Sequence, residues 1–293
     1  MPEERDSAAA PGDVCSESEL LDQLRELSAL IGTELCLNAR QLAMRPTSFP
    51  DAWKGDLRSM RRLLQRLMAY AGLADADLDI EIFDARDGAD ELGSHLATDL
   101  YFDGVADGRM RFSVATIGDP RATIGPACIE VGRAVLHKRR LETSATTYRD
   151  AAEDDVELPS RHAGFLVASL LGWGVLVTNA SFDPRSVGRN IGYSAENAWI
   201  ESTVDVDPNL AAWVLALLWR ARPDRTSWID DLRTELNPSQ RKILDRELSA
   251  LEGEDEALRE TLAWPAEQAG RGLPYDPLRT LQFDLHDHAL DVS

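Results

Sequence analysis

The longest apolar stretch of the chain, Ala163 to Ala180, is the feature that most constrains its fold. Gly172 and Gly174 interrupt the stretch, as do several polar residues, so it lacks the eighteen or more continuous apolar residues typical of a membrane span. Its apolar side chains nevertheless cover nearly the whole circumference of a helix, and only a helix surrounded by protein satisfies that pattern. We therefore expect a helix over 160–179 at the buried centre of a domain, packed against a helix over 120–140, with both glycines at close backbone contacts.

Composition and charge favour a soluble globular protein that binds neither nucleic acid nor membranes. Of 293 residues, 44% are hydrophobic and 28% are charged, which is typical of a globular chain. The 51 acidic residues outnumber the 31 basic ones, and the resulting net charge of -20 repels phosphate backbones and anionic lipid surfaces. The three cysteines form no CxxC pair, and residues 1–13 resemble neither a signal peptide nor a transit peptide. These features predict a cytoplasmic protein.

Residue spacing predicts two helices, then a small sheet, then further helices. Ser16 and Glu19 form a capping box at the start of the first helix. Asp107-Gly108 predicts a hairpin turn, and Asp119 followed by Pro120 predicts the start of another helix. Helices are expected from residue 17 into the thirties or forties, and over 52–71, 120–140, 160–179, 210–221 and 228–251, with strands over 78–82, 100–102 and 110–114.

These elements predict an α+β fold, predominantly helical, with a small and mostly antiparallel sheet. Residues 1–15 are expected to form a disordered leader, because they contain too few apolar residues to offset the entropy of ordering. The folded domain is expected over 16–260. Residues 261–293, which are rich in proline and glycine, are expected to form an extended C-terminal tail.

The hairpin and the helix after it resemble the arrangement in which zinc metallopeptidases place their HExxH motif. Ile129-Glu130-Val131-Gly132-Arg133 lies at that point, and the segment 165–179 resembles one in uncharacterised bacterial zincin-like proteins. Segments around 192–194, 210–220 and 228–232 are similar to later parts of the same proteins. The resemblance covers about residues 52–250 and implies a zincin-like domain.

The resemblance also implies that the metal ligands of that family are missing. Ile129 and Arg133 stand at the two histidine positions of the motif, and Glu130 stands at the position of the general base. Aligned on Gly172 and Gly174, Arg161 stands at an acidic third-ligand position and Phe165 at the following aspartate. Neither isoleucine, phenylalanine nor protonated arginine binds zinc, and Glu130 alone cannot hydrolyse a peptide bond.

The sequence therefore favours a catalytically inactive pseudoenzyme, with no metal or cofactor, that acts as a binding, scaffolding or regulatory module for a protein partner. The alternative is an active metal-dependent or unconventional hydrolase with a site around Glu130. Cys128, His137 and His162 are possible replacement ligands, and His286 and His288 form a metal-like cluster, but a buried or solvated structural role is favoured for each.

The two arginines suggest what replaced the metal. Arg133 follows Glu130 by three residues and so lies on the same helix face, and the alignment places Arg161 on the facing helix. We expect one or both guanidinium groups to bind the Glu130 carboxylate through charge-assisted hydrogen bonds, as a structural pair rather than a catalytic base.

Overall fold

The computed structural model describes residues 16–82, 100–115, 117, 119–147, 157–181, 204, 206–224, 228–273 and 275–281. They form an α+β fold that is mostly helical and contains a three-stranded sheet, as the sequence predicts. The helices are α1 Glu17–Ile31, α2 Thr33–Asn38, α3 Leu57–Tyr70, α4 Pro120–Thr147, α5 Arg161–Ala168, α6 Gly174–Ala180, α7 Pro208–Ala221, α8 Ile229–Arg233, α9 Pro238–Ala250, α10 Asp255–Thr261 and α11 Pro277–Thr280. The strands are β1 Leu78–Ile82, β2 Leu100–Ala106 and β3 Arg109–Val114.

Local signals fix the starts of several helices where they were predicted. The capping box at α1 is present: the Glu19 backbone N–H donates to Ser16 Oγ at 3.3 Å, and the Ser16 N–H donates to Glu19 Oε2 at 2.7 Å. The chain is helical from Glu17 into the thirties, as expected, but Gly32 adopts a φ of +108° and divides the helix into α1 and α2. The helix expected over 228–251 is also divided, since Pro238 begins a new helix, α9, after the short helix α8.

The sheet is mixed, with strand order β1-β3-β2. The predicted hairpin is confirmed: β2 and β3 pair antiparallel around Asp107 and Gly108, whose φ angles of 54° and 74° are those of a tight hairpin turn. A mostly antiparallel sheet was expected, but β1 pairs with β3 in parallel. Alternation of apolar and polar residues identifies a half-buried strand without specifying the direction of its neighbour.

The predicted central helix is confirmed as the buried centre of the fold. It spans Arg161–Ala180 and consists of α5 and α6, joined through Ser169–Trp173, where Gly172 has a φ of +82° and kinks the helix. By length and composition alone it could cross a membrane, but 89% of its most apolar window is buried inside the protein. That burial is typical of the core helix of a soluble protein.

Close packing between the central helix and α4 depends on Gly132 and Gly164. A Cβ atom on Gly132 would lie 2.3 Å from the Gly164 carbonyl oxygen, so only glycine permits this approach. Gly172 and Gly174, for which the sequence predicts close contacts, pack against other parts of the chain. A Cβ on Gly172 would lie 2.6 Å from the Arg40 carbonyl oxygen, and one on Gly174 would lie 2.7 Å from a methyl group of Leu215.

The described part of the C-terminal region packs on the helical core. Trp264 is buried, and its Nε1–H donates to Ser28 Oγ on α1 at 2.8 Å. Farther along, the Tyr275 hydroxyl donates to the Tyr70 carbonyl at the end of α3, at 3.2 Å. Residues on both sides of position 260 thus contribute to one hydrophobic core.

Candidate functional site around Glu130

Glu130 lies where α4, β2 and the start of α5 meet. Its side chain is completely buried, with 0% of its surface exposed. An isolated carboxylate in such a position would be strongly destabilising, so its partners determine what the group does. The contact of Gly132 with Gly164 places the first turn of α5 beside this part of α4.

Two hydrogen-bond donors and a second guanidinium group surround the Glu130 carboxylate. Oε2 accepts a hydrogen bond from Nη1 of Arg133 at 2.5 Å and another from the backbone N–H of Phe102 at 2.9 Å. Nε of Arg161 lies 3.2 Å from Oε1 and forms an ion pair, without the alignment of a hydrogen bond. The predicted charge-assisted hydrogen bond to Glu130 is therefore present from Arg133, and Arg161 contributes an ion pair.

The two arginines are themselves positioned by neighbouring groups. Arg133 Nε donates to the Pro159 carbonyl at 2.7 Å, which ties α4 to the residues that lead into α5. The guanidinium carbon of Arg161 lies 5.6 Å from the centre of the Tyr101 ring, within range of a cation–π contact. Their side chains are 12% and 28% exposed, so the arginines lie between the buried carboxylate and solvent.

The other two positions carried over from the resemblance are core residues. Ile129 and Phe165 are each 1% exposed and belong to the hydrophobic core. The structure therefore brings Glu130, Arg133 and Arg161 together as one charged cluster, while Ile129 and Phe165 supply apolar contacts.

The possible replacement ligands Cys128, His137 and His162 do not form a metal site around Glu130. Cys128 is fully buried, and burial raises the pKa of its thiol well above the usual value. His137 packs its ring against Phe102, with centroids 5.7 Å apart, and His162 packs near Phe165. In the described part of the chain, no three histidine, cysteine, aspartate or glutamate residues are grouped so that they could hold a metal. His286 and His288 lie outside the described residues.

The sequence identified the Glu130–Arg133 pair by its helical spacing, but no spacing rule points to the Phe102 N–H. That donor became a candidate only when β2 packed against α4. The sequence also gave no sign of a cleft lined by Asn38, Arg40, Arg222 and Trp228. These residues come from segments far apart in the chain.

No family model matches this chain, and no curated protein or solved structure matches it.

Proposed function

We propose that this protein is a catalytically inactive, zincin-like module that acts in the cytoplasm by binding, scaffolding or regulating a protein partner. One observation carries the proposal: Glu130, which stands at the position expected of a general base, is fully buried and paired with two arginines. A relation to zincins would lead one to expect that Glu130 is a catalytic base. The surroundings of Glu130 argue against that catalytic role.

A general base must reach the proton that it removes, either directly or through one water molecule. Glu130 has no exposed surface, and both Phe102 and Arg133 donate to its Oε2 atom. Oε1 accepts no hydrogen bond among the described residues, but it is buried and lies 3.2 Å from Nε of Arg161, so a water molecule could reach it only if the carboxylate moved away from these partners. Removing a buried carboxylate from its partners costs several kcal/mol, which opposes the step.

The charge balance of the cluster supports a structural role as well. In a zinc peptidase, the metal ion offsets the negative charge of the glutamate and of its acidic ligand. Here Arg133 and Arg161 supply positive charge next to Glu130, at positions that the resemblance assigns to metal ligands. A guanidinium group fits this purpose because it remains protonated and forms directed hydrogen bonds to carboxylates.

The proposed cytoplasmic location is consistent with the described cysteines. Cys36 and Cys128 are both buried, and both are free thiols. Reduced, buried thiols are typical of proteins from reducing compartments.

The test compares zinc content and peptidase activity in the purified full chain and two variants, Glu130→Gln and Glu142→Gln. Glu142 is the matched control, because it lies on α4 and pairs with Arg139 three residues before it, yet it is 47% exposed. We expect no stoichiometric zinc, no change in melting temperature on adding a chelator, and no hydrolysis of a casein substrate by any of the three proteins.

Zinc at about one ion per chain would contradict the proposal and favour the hydrolase alternative. Hydrolysis that is lost in Glu130→Gln and retained in Glu142→Gln would do the same. For the binding role, affinity capture from the native host followed by mass spectrometry should recover a protein that the unfolded chain does not recover.

A further inference from the structure

A cleft of about 410 Å³ lies away from Glu130, between the segment after α2, the start of α8 and the C-terminal region. Residues that line it include Asn38, Arg40, Arg222, Trp228 and Gly270. The volume is within the range of about 300 to 1,000 Å³ that small-molecule sites occupy. None of the residues that contact the Glu130 carboxylate lines this cleft.

The floor of the cleft is fixed to the centre of the protein. The Leu42 N–H donates to the carbonyl of Gly172 at the kink of the central helix, at 2.9 Å, and the Trp219 indole N–H donates to Gln41 Oε1 at 3.3 Å. Gly172 has a φ of +82° and lies too close to the Arg40 carbonyl to carry a side chain. These contacts hold the segment that lines the cleft in place before any ligand arrives.

Two of the three arginines that line the cleft are already paired. Arg45 donates to Asp231 Oδ2 at 2.5 Å, and this hydrogen bond lowers the pKa of the Asp231 carboxyl. Arg222 is 4% exposed, and its Nε donates to Asp224 Oδ1 at 3.2 Å. Both acidic residues of the lining therefore have an arginine as partner, and neither leaves a strong negative charge to repel an anion.

Arg40 provides the positive charge that remains. Its Nη2 donates to the Thr47 carbonyl at 3.1 Å, and among the described residues no carboxylate oxygen lies within 4.0 Å of its guanidinium nitrogens. The side chain is exposed at the cleft. Glu235 also accepts from Arg45, at 2.8 Å, so three carboxylates face the three arginines of the described lining, and Arg40 is the arginine that has no carboxylate partner. This arrangement favours an anionic ligand.

Asn38 provides a hydrogen-bond acceptor beside this charge. The residue is 9% exposed, and its Nδ2 group donates to the carbonyls of Glu34 at 3.0 Å and Gln268 at 3.1 Å. Two carbonyl partners fix the orientation of the amide, because a flipped amide would direct its oxygen at both. Oδ1 has no hydrogen-bond partner among the described residues. A buried acceptor without a partner is unusual, and a ligand donor would satisfy it once a small movement of the lining exposes the oxygen, which is shielded from solvent.

We propose that this cleft binds a small organic oxyanion, a phosphate monoester or a carboxylate, that also carries a hydroxyl or ammonium donor. Arg40 binds the oxyanion, the amide oxygen of Asn38 accepts from the donor, and the Trp228 ring forms an apolar wall. The proposal rests on the proposed function in one respect, since it supplies a small-molecule ligand for a protein that binds rather than catalyses.

The experiment is calorimetric titration of the full chain with O-phosphoserine and with malate, which distinguish phosphate from carboxylate. Glycerol serves as the neutral control. We expect saturable binding of at least one anion and none of glycerol, together with a change in tryptophan fluorescence that Trp228→Phe abolishes. Arg40→Ala should weaken binding about tenfold or more, because a charge-assisted hydrogen bond to the ligand is lost.

Arg25→Ala is the matched control variant, since Arg25 is an exposed arginine on α1 that pairs with Asp22 and lies outside the cleft. Its affinity should equal that of the unaltered chain. Absence of binding up to about 10 mM of either anion, or equal affinity in Arg40→Ala, would overturn the proposal. Neither result would alter the zinc and peptidase measurements, so failure of the cleft proposal is distinguishable from failure of the proposed function.

Discussion

Replacing Glu130 with alanine tests whether the buried carboxylate holds the fold together. The substitution removes the acceptor of the Phe102 N–H, and an unsatisfied buried donor costs about 1 to 3 kcal/mol. It also leaves the charge of Arg133 uncompensated in a position that is only 12% exposed. Arg161 is 28% exposed and can recover part of its hydration, so its contribution is smaller. We expect the free energy of unfolding to fall by about 3 to 5 kcal/mol.

Urea denaturation followed by far-ultraviolet circular dichroism measures this loss as a lower midpoint with an unchanged slope. Glu142→Ala is the control, because its exposed pair with Arg139 has the same spacing on the same helix. That variant should lose less than about 1 kcal/mol. Equal losses in the two variants would refute the argument that burial makes the Glu130 pair important.

A second pair of variants separates charge from shape. Glu130→Gln retains the size of the side chain and an acceptor for Phe102, but it leaves Arg133 without its anion. Adding Arg133→Met removes the uncompensated charge, so the double variant should be more stable than the sum of the two single losses predicts. The coupling should lie between about 0.5 and 3 kcal/mol. Strict additivity would contradict a direct interaction between the two residues.

Three further predictions concern the core. Leu171→Ala should destabilise the protein by about 2 to 5 kcal/mol in the same denaturation assay, because the side chain is 1% exposed on the central helix; a loss under about 1 kcal/mol would contradict its burial. Gly132→Ala should cost at least about 1 to 3 kcal/mol, since its Cβ would meet the Gly164 carbonyl at 2.3 Å, and a stable variant would show that α4 and α5 are farther apart. Burial raises the pKa of the Cys36 thiol to about 12 and also raises that of the Cys128 thiol. In a Cys15→Ser variant, Ellman's reagent should therefore label neither thiol at pH 8 until guanidinium unfolds the chain.

Short-range patterns determined much of the local structure. The capping box at Ser16 fixed the start of α1, and Asp107-Gly108 fixed the hairpin, because each depends on residues within one turn of the chain. The all-round apolar pattern of the central helix required burial wherever the helix was placed. The spacing of Glu130 and Arg133 made their pairing possible for the same local reason.

Only the tertiary structure decided how these elements meet. The spacing of Glu130 and Arg133 could not show that the Phe102 N–H would also donate to the carboxylate, because that contact depends on β2 packing against α4. The role of Gly132 likewise emerged only when Gly164 was placed opposite it. The cleft joins Asn38 and Arg40 to Trp228, nearly two hundred positions later in the sequence, and no local periodicity encodes that contact. Long-range neighbours follow from the packing of whole elements, which the spacing of residues along one segment does not specify.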